Sequence, residues 1–332
     1  MNRRRQTAGF SLVELMIAVA ILAIVIGAVM QSFVVQNKSY TVTDQVVEAQ
    51  QSLRAVAWLL ERDARMTGYM VPEEAALCAI DYLDAPDWVW FTDSDAIDPE
   101  GQTRPALGVA VSDYTGGTGS KTLTVEDVVL DGRPFYDLDN DGDADADFME
   151  GGGAILVNLD DPARGTACGV VRNVGVASKQ ITIDFQTEIS APAATDRVVL
   201  VPAHVYEVIS GGEPRLRRNG RVVASGVEDL QVAFFFDRDR DGEIDEPNAS
   251  GGELPGAEGA DPYESDKYDN RDLREVHIDL VTRTRLPDVT NQNGLFQARA
   301  NREGPAVGDG YRRRVHTSTV KVRNVGYRGT AA

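Results

Sequence analysis

The strongest pattern along the chain is an uninterrupted apolar stretch near its N-terminus. Residues 15–30 contain no polar side chain, and three consecutive arginines lie a few residues before the stretch. A helix that rises about 1.5 Å per residue from Phe10 to Val35 would be long enough to cross a hydrocarbon layer of about 30 Å. The pattern therefore predicts a transmembrane helix over residues 10–35, with the arginines on the cytoplasmic side.

The helical pattern continues beyond the apolar stretch. Residues 36–70 contain no proline, and their apolar positions recur at mixed three- and four-residue spacing, at Val46, Val47, Leu53, Val56, Ala57, Leu59 and Leu60. Such spacing is typical of an amphipathic helix. Gly68 and Pro72 then supply stop signals. We therefore predict that one helix runs through the membrane and continues to about Met66.

Beyond Pro72 the pattern changes to short runs rich in Val, Ile, Thr and Phe, which are separated by Gly, Asn and Asp. The runs are LGVAVSDY, KTLTVEDVVL, AILVNL, GVVRNVGV, KQITIDFQTEI, RVVLVPAHVYEVI, PRLRRNGRVVA, LQVAFFF, VHIDLVTRTR and RRRVHTSTVKVRNV. Asn219-Gly220 lies between two runs and predicts a type I′ hairpin turn. The predicted fold class is α+β: a long N-terminal, partly transmembrane α-helix packed onto an antiparallel β-rich globular head, residues 71–332.

The charge of the chain is acidic, with 33 Lys and Arg against 52 Asp and Glu. The resulting field repels phosphate, so direct binding of nucleic acid is not expected. Residues 250–272 are rich in Gly, Pro, Asp and Glu, and they are predicted to form a mobile acidic surface loop. The three histidines lie in strand-like runs, and HExxH and GxSxG motifs are absent from the sequence. We therefore do not predict an enzyme.

Glu14 is the residue that a plain transmembrane helix does not explain. A carboxylate toward the bilayer interior costs about 2.5–3.5 kcal/mol on the lenient insertion scale, so it needs a partner or the headgroup water. Either Glu14 lies close enough to the headgroups to stay hydrated, or it has a cationic partner. Cleavage after Gly9 would create an amino terminus at Phe10, four residues before Glu14, and that amine could neutralise the carboxylate.

Gly9 followed by Phe10-Ser11-Leu12-Val13-Glu14-Leu15 resembles the cleavage and methylation signal of type IV prepilins and type II secretion pseudopilins. The resemblance implies that prepilin peptidase cuts between Gly9 and Phe10, so that residues 1–9 are a leader peptide. It also implies that Phe10 is N-methylated and that Glu14 pairs with the terminal amine of a neighbouring subunit during assembly. The partners it implies are other major or minor pilins, bound through the N-terminal helix, and the pilus assembly platform of the inner membrane.

A narrower resemblance concerns residues 62–69, Arg-Asp-Ala-Arg-Met-Thr-Gly-Tyr, which are similar to the helix exit of PilW-like minor pilins. Residues 227–231 and 312–324 also resemble the closing strands of PilW-like and J-type pseudopilin sequences. The implied function is a minor pilin that takes part in assembly or priming of a type IV pilus. Its head would lie in the periplasm before assembly and in an extracellular pilus afterwards. The alternatives are a J-type pseudopilin, a calcium-dependent adhesin at a filament tip, and a single-pass membrane protein that is never processed.

Two segments of the chain repeat the spacing D-x-D-x-D-G-x-x-D, which resembles calcium loops such as those of EF-hands. Alternate oxygens on a tight loop surround a hard cation, and Gly at the sixth position permits the bend. In the first loop, residues 137–148, the predicted ligands are Asp137, Asp139, Asp141, Asp143 and Asp145. In the second loop, residues 237–248, they are Asp237, Asp239, Asp241, Glu243 and Asp245. Asp143 and Glu243 would bind the cation through their backbone carbonyls.

Both loops depart from the EF-hand at the twelfth position, where Phe148 and Asn248 replace the bidentate glutamate. A further ligand could come from Asp147 or Glu150 in the first loop and from Glu246 in the second. Weak binding of about 10⁻⁴–10⁻³ M would suit extracellular calcium, which would be a structural cofactor. The alternative is an acidic hairpin tip without metal, in the second loop with Arg238 and Arg240 neutralising the aspartates.

The two cysteines of the chain, Cys78 and Cys168, are far apart and show no zinc-binding spacing. In an oxidising compartment one disulfide would be the simple interpretation, and two unpaired buried thiols are the alternative.

Overall fold

The computed structural model describes residues 11–69, 71–92, 108–125, 147–239, 244, 263, 267–288, 302 and 309–325. The chain divides into two compact units, Met1–Glu48 and Ala49–Ala332. One helix, α1 (Leu12–Met66), contributes residues to both units. The prediction of a long N-terminal helix followed by an antiparallel β-rich head is confirmed.

In the first unit, α1 presents apolar side chains on all sides. By length and composition it could cross a membrane, and none of its most apolar segment is buried. The exposed large side chains are Leu12, Val13, Leu15, Met16, Ile17, Val19, Ile21, Leu22, Ile24, Val25, Ile26, Val29, Met30, Phe33, Val34 and Val35. An apolar surface of this extent requires cover by lipid or by other apolar helices.

In the second unit, α1 becomes amphipathic. Its buried positions follow three- and four-residue spacing, and they are Leu53, Val56, Ala57, Leu60 and Ala64, whereas Arg54, Trp58 and Arg65 are exposed. The buried positions belong to a hydrophobic core that also contains side chains of the strands. This part of the helix is therefore held by packing against the head.

Thirteen strands are found in the described part of the chain. They are β1 (Leu77–Ile80), β2 (Trp88–Thr92), β3 (Val109–Val111), β4 (Gly119–Thr124), β5 (Gly153–Asn158), β6 (Thr166–Gly175), β7 (Gln180–Phe185), β8 (Val198–Ile209), β9 (Arg215–Arg218), β10 (Arg221–Ser225), β11 (Val227–Phe236), β12 (Leu273–Arg283) and β13 (Arg313–Lys321). Short 3-10 helices occupy Glu73–Ala75, Pro162–Arg164 and Asn270–Asp272.

The strands form two antiparallel sheets. The larger sheet has the order β1-β2-β8-β5-β6-β7-β4, with β3 and β9 also paired to β8 and β10 paired to β9. The smaller sheet has the order β11-β12-β13. Because β8 is twelve residues long and almost wholly buried, it can serve as the common partner of β2, β3, β5 and β9.

The hairpin predicted at Asn219-Gly220 is confirmed. Asn219 and Gly220 have positive φ angles of 52° and 72°, as a type I′ turn requires, and they join β9 to β10. Asn219 also accepts a hydrogen bond from Val205 N through its side-chain oxygen, at 3.0 Å. The turn residue therefore fixes the hairpin against β8 as well as reversing the chain.

A buried aspartate links the two sheets. The Asp87 carboxylate accepts hydrogen bonds from Tyr82 N at 2.9 Å and from Val232 N, on β11, at 2.8 Å. Asp87 N donates to the Leu230 carbonyl at 2.8 Å. Burial, and next the negative charge of Asp81, raises the pKa of Asp87 well above its ordinary value. Asp87 thus connects the segment before β2 to the smaller sheet.

The acidic segment 250–272 was predicted to be a mobile surface loop, and this is wrong for part of it. Among its described residues, Tyr263, Tyr268 and Asn270 are buried. Tyr263 and Tyr268 stack near Phe236, and the Asn270 amide donates to the Glu74 and Leu77 carbonyls at 2.8 and 2.7 Å. The prediction rested on the average composition of the segment, which does not reveal the few side chains that anchor it to the head.

Candidate functional site

Two hydrogen bonds between side chains and backbone amides cap the start of α1. Ser11 N donates to Glu14 Oε2 at 2.9 Å, and Val13 N donates to Ser11 Oγ at 3.3 Å. A serine before the helix and a glutamate three residues later form a variant of the capping box, in which the serine oxygen accepts from the second amide of the helix rather than the third; both bonds satisfy amide groups that have no partner inside the helix. The sequence signal Ser-x-x-Glu was present, but the prediction for Glu14 considered only an amine partner or headgroup water.

The capping box determines where the carboxylate lies. Glu14 is solvent-exposed in the first turn of the helix, where a negative charge is favoured by the helix dipole. Its hydrogen-bond partner in the structure is the backbone amide of Ser11. Gly9 and Phe10, the predicted cleavage and methylation residues, lie outside the described residues.

In the second unit, a buried carboxylate attaches α1 to the larger sheet. Asp63 Oδ2 accepts hydrogen bonds from the Tyr206 hydroxyl at 2.6 Å and from Arg218 Nε at 2.9 Å. The Asp63 side chain is 4% exposed and that of Arg218 is 20% exposed. Burial, and next the negative charge of Asp63, raises the pKa of Tyr206 well above its ordinary value. The hydroxyl therefore remains a proton donor to Asp63 at physiological pH.

The residues after Asp63 form the exit of the helix. Gly68 has a φ of +76°, and a Cβ there would lie 2.5 Å from Val325 Cγ2. The Asn324 amide donates to the carbonyls of Met66 and Thr67 at 3.1 and 3.3 Å, so it satisfies acceptors at the helix C-terminus. The segment that follows β13 therefore closes over the helix exit.

The predicted calcium loops lie only partly within the described residues. Asp137, Asp139, Asp141, Asp143 and Asp145 lie outside them, as do Asp241, Glu243 and Asp245. Within the described part of the chain, no group of three or more His, Cys, Asp or Glu side chains has the arrangement of a metal site. The structure therefore leaves the calcium prediction untested.

Asp237, the first position of the second loop, is 1% exposed. Its Oδ2 pairs with Arg274 Nε on β12 at 3.1 Å, whereas its Oδ1 is buried with no hydrogen-bond partner among the described residues. The Arg238 guanidinium lies 4.9 Å from the Tyr268 ring centre. The cation that pairs with Asp237 is therefore Arg274, a residue of β12 and not of the loop.

Cys78 and Cys168 form a disulfide that joins β1 to β6, with their Cα atoms 6.3 Å apart. Both residues are fully buried, and the Thr187 hydroxyl lies 3.7 and 3.2 Å from the two sulfurs. The alternative of two unpaired thiols is excluded by the structure.

Comparison with known protein families gives a match at the start of the chain. Residues 4–30 match the prokaryotic N-terminal methylation motif. The chain carries a type IV prepilin-like methylation motif. The prepilin-like motif includes Gly9, Phe10 and Glu14, and it extends over most of the exposed apolar stretch of α1. Such a motif indicates a structural, non-enzymatic subunit.

Comparison with solved structures finds similarity to a type IV-like pilin, TTHA1219, from Thermus thermophilus. The two chains are 15% identical with a TM-score of 0.23, and the match covers 53% of this chain and 85% of the other. Among curated proteins, none matches this prepilin-like chain.

Proposed function

We propose that the protein is a PilW-like minor pilin, a processed membrane-inserted subunit that takes part in assembly or priming of a type IV pilus. The observation that carries the proposal is the methylation motif, which is continuous with a helix whose apolar side chains are exposed. Pilin-like proteins are processed by prepilin peptidase and assemble with other pilins. A helix of this kind is stable in a bilayer or packed against similar helices, and both environments occur during pilus assembly.

In the proposed mechanism, prepilin peptidase cuts between Gly9 and Phe10 while α1 spans the inner membrane and the head lies in the periplasm. The new amino terminus of Phe10 is methylated and remains cationic. During assembly, the Glu14 carboxylate exchanges the Ser11 amide for the terminal amine of a neighbouring pilin, because a hydrogen bond between two charged groups is stronger than one in which only the carboxylate is charged. Apolar packing drives association, and Glu14 sets the stagger of the helices in the extracellular pilus.

The narrower assignment to PilW-like minor pilins has support from the helix exit. Within residues 62–69, Asp63 holds the helix to the sheet and Gly68 permits the close approach of Val325. Asn324, from the segment that resembles the closing strands of this class, caps the same helix end. Residues 62–69 and residues 312–324, the two segments that resemble PilW-like sequences, therefore contact each other at the exit of α1.

The proposal predicts that Glu14→Ala leaves membrane insertion intact but lowers incorporation into filaments. Loss of a charge-assisted bond of about 1.5–3 kcal/mol would reduce incorporation roughly tenfold or more. The measurement is the amount of protein in sheared filaments relative to membranes, with intact-mass spectra to confirm loss of residues 1–9 and methylation of Phe10. Ser11→Ala is the matched control, because it removes the cap hydroxyl and keeps the carboxylate. Unchanged incorporation of Glu14→Ala, or retention of residues 1–9, would refute the assembly role.

We also propose that the head is stabilised by calcium at the two aspartate loops. The support is the repeated spacing together with the buried Oδ1 of Asp237, which has no hydrogen-bond partner among the described residues. If calcium binds, Asp237 would contribute this oxygen. Arg274 would continue to neutralise the other oxygen, which reduces the charge of the site and fits a weak rather than a tight affinity.

Calcium titration of the detergent-solubilised full chain tests this proposal. At calcium concentrations about one hundred times the Kd, we expect the free energy of unfolding to increase by about 2.7 kcal/mol for each loop that binds calcium. Asp139→Ala with Asp239→Ala should remove both the binding heat and the increase in melting temperature. Asp44→Ala with Asp84→Ala is the control, because it removes the same charge at two exposed positions outside the loops. Identical melting curves with calcium and with chelator would reduce both loops to acidic turns.

A further inference from the structure

A cavity of about 480 Å³ lies beside the exit of α1 and has a basic lining. Four of its lining residues are cationic, three are valines and one is a threonine: Arg65, Arg274, Lys321, Arg323, Val320, Val322, Val325 and Thr319. The valines are buried, whereas Arg65, Lys321 and Arg323 reach solvent. The cavity therefore combines an apolar floor with a cationic rim, and its volume lies in the range of about 300–1,000 Å³ that is usual for ligand sites.

The position of the cavity follows from the strand that lines it. Residues 319–323 are consecutive, and successive side chains of a strand point to opposite faces. The lining also includes Arg274 of β12, so the cavity lies at the end of the β12–β13 pair, beside the exit of α1. One edge of β13 is paired with β12 over its whole length, from Arg313 to Lys321. The other edge, to which Thr319 and Lys321 of the lining belong, has no neighbouring strand in the described part of the chain.

The hydrogen-bond register shows which backbone groups face this free edge. Val322 N donates to the Arg274 carbonyl at 2.9 Å, so Val322 directs its backbone toward β12. In an antiparallel pair the direction alternates along the strand. Thr319 and Lys321 therefore direct their backbone N–H and C=O groups away from β12, to the free edge of β13.

The charges of the rim are only partly compensated. Arg274 pairs with the buried Asp237, and Lys321 Nζ lies 3.4 Å from Glu275 with its side chain 80% exposed. Arg65 and Arg323 have no ion pair or side-chain hydrogen bond with any described residue. In a chain of net charge −19, two guanidinium groups that line one cavity without an ion pair to a described residue form a local site for carboxylates.

We propose that this cavity is a docking site for an extended, acidic polypeptide segment of a partner protein, which adds to the free edge of β13. The backbone of the segment bonds to the outward groups of Thr319 and Lys321, as in other strand additions. Its carboxylates bind Arg65 and Arg323, and its alternate side chains pack on the valine floor. A free phosphate ion fills too little of the cavity and uses neither the valines nor the strand edge.

The test uses the detergent-solubilised full chain and the peptide acetyl-Glu-Val-Glu-Val-Glu-Val-amide, with binding measured by calorimetry. We expect saturable binding that weakens as salt is raised, because the rim is exposed. Replacement of the three Glu by Gln in the peptide should weaken binding roughly tenfold or more, since it removes the charge-assisted bonds. Arg65→Gln with Arg323→Gln should produce a loss of similar size. Arg54→Gln with Arg221→Gln removes the same charge at two exposed positions elsewhere and should leave binding unchanged.

Strand addition is tested separately from charge. A peptide with N-methylated backbone amides keeps every side chain but cannot donate to the strand edge, so its binding should be lost without any change to the protein. Thr319→Pro removes one outward N–H at an edge strand, where proline is tolerated, and should weaken binding in the same way. Equal binding of the Gln peptide, of the arginine double variant or of the N-methylated peptide would overturn the proposal. Equal affinity for inorganic phosphate, with full competition, would assign the cavity to a small oxyanion and also overturn it.

Discussion

Asp63→Ala is expected to lower the free energy of unfolding of the head by about 3 kcal/mol. The substitution removes the acceptor of two hydrogen bonds at once, and it leaves the Arg218 guanidinium in a site that is only 20% exposed. A half-buried cation without its carboxylate has a desolvation cost that the intact pair offsets. The measurement is chemical denaturation of the detergent-solubilised full chain, followed by near-ultraviolet circular dichroism of the head.

Two further variants separate the charge from the hydrogen bond. Tyr206→Phe removes only the hydroxyl donor to Asp63, and we expect a loss of about 1 kcal/mol. Asp63→Ala combined with Arg218→Met removes both charges of the pair, and it should be more stable than Asp63→Ala alone, because the guanidinium that Asp63 offsets is removed as well. A single variant Asp63→Ala within about 0.5 kcal/mol of the wild type would show that the pair does not hold the helix to the sheet.

The sequence was sufficient to predict those elements whose signals are local. The long helix follows from a proline-free run with apolar spacing, and the β9–β10 hairpin follows from Asn219-Gly220, where only a few residue types adopt positive φ easily. The short strands β1 and β2 were missed. They lie in a segment with Pro72 and Pro86 and several acidic residues. Pairing of β2 with β8, more than one hundred residues away, and of β1 with β2 stabilises them.

The candidate sites show the same division between local and distant signals. The capping box of Ser11 and Glu14 is local and could have been found from its three-residue spacing. The partners of Asp63 could not be found in this way, because Tyr206 and Arg218 lie 143 and 155 residues further along the chain. The cavity beside β13 likewise brings Arg65 next to residues 319–323, a proximity that only the fold creates.

The disulfide could be predicted only in part from the sequence. Two cysteines in a chain permit one pairing, but the sequence alone left open whether the thiols are joined, since pairing needs a suitable distance as well as an oxidising compartment. The structure places the two Cα atoms 6.3 Å apart, within the range that a disulfide spans. The bond connects β1, next to the helix exit, with β6 in the interior of the larger sheet. It therefore crosslinks the chain over a sequence separation of 90 residues.

Removal of this crosslink should have the largest effect on stability. On the chain-entropy model, closing a loop of this length contributes about 4–5 kcal/mol, so Cys78→Ala with Cys168→Ala should lower the free energy of unfolding by that amount. Reduction of the wild type should lower the free energy of unfolding by a similar amount. The same reductant should have no effect on the double variant, and this comparison controls for indirect effects of the reagent. Each single-cysteine variant should be about as unstable as the double variant, because one cysteine cannot form the bond. Unchanged denaturation midpoints after reduction would mean that packing around Thr187, rather than the crosslink, holds β1 to β6.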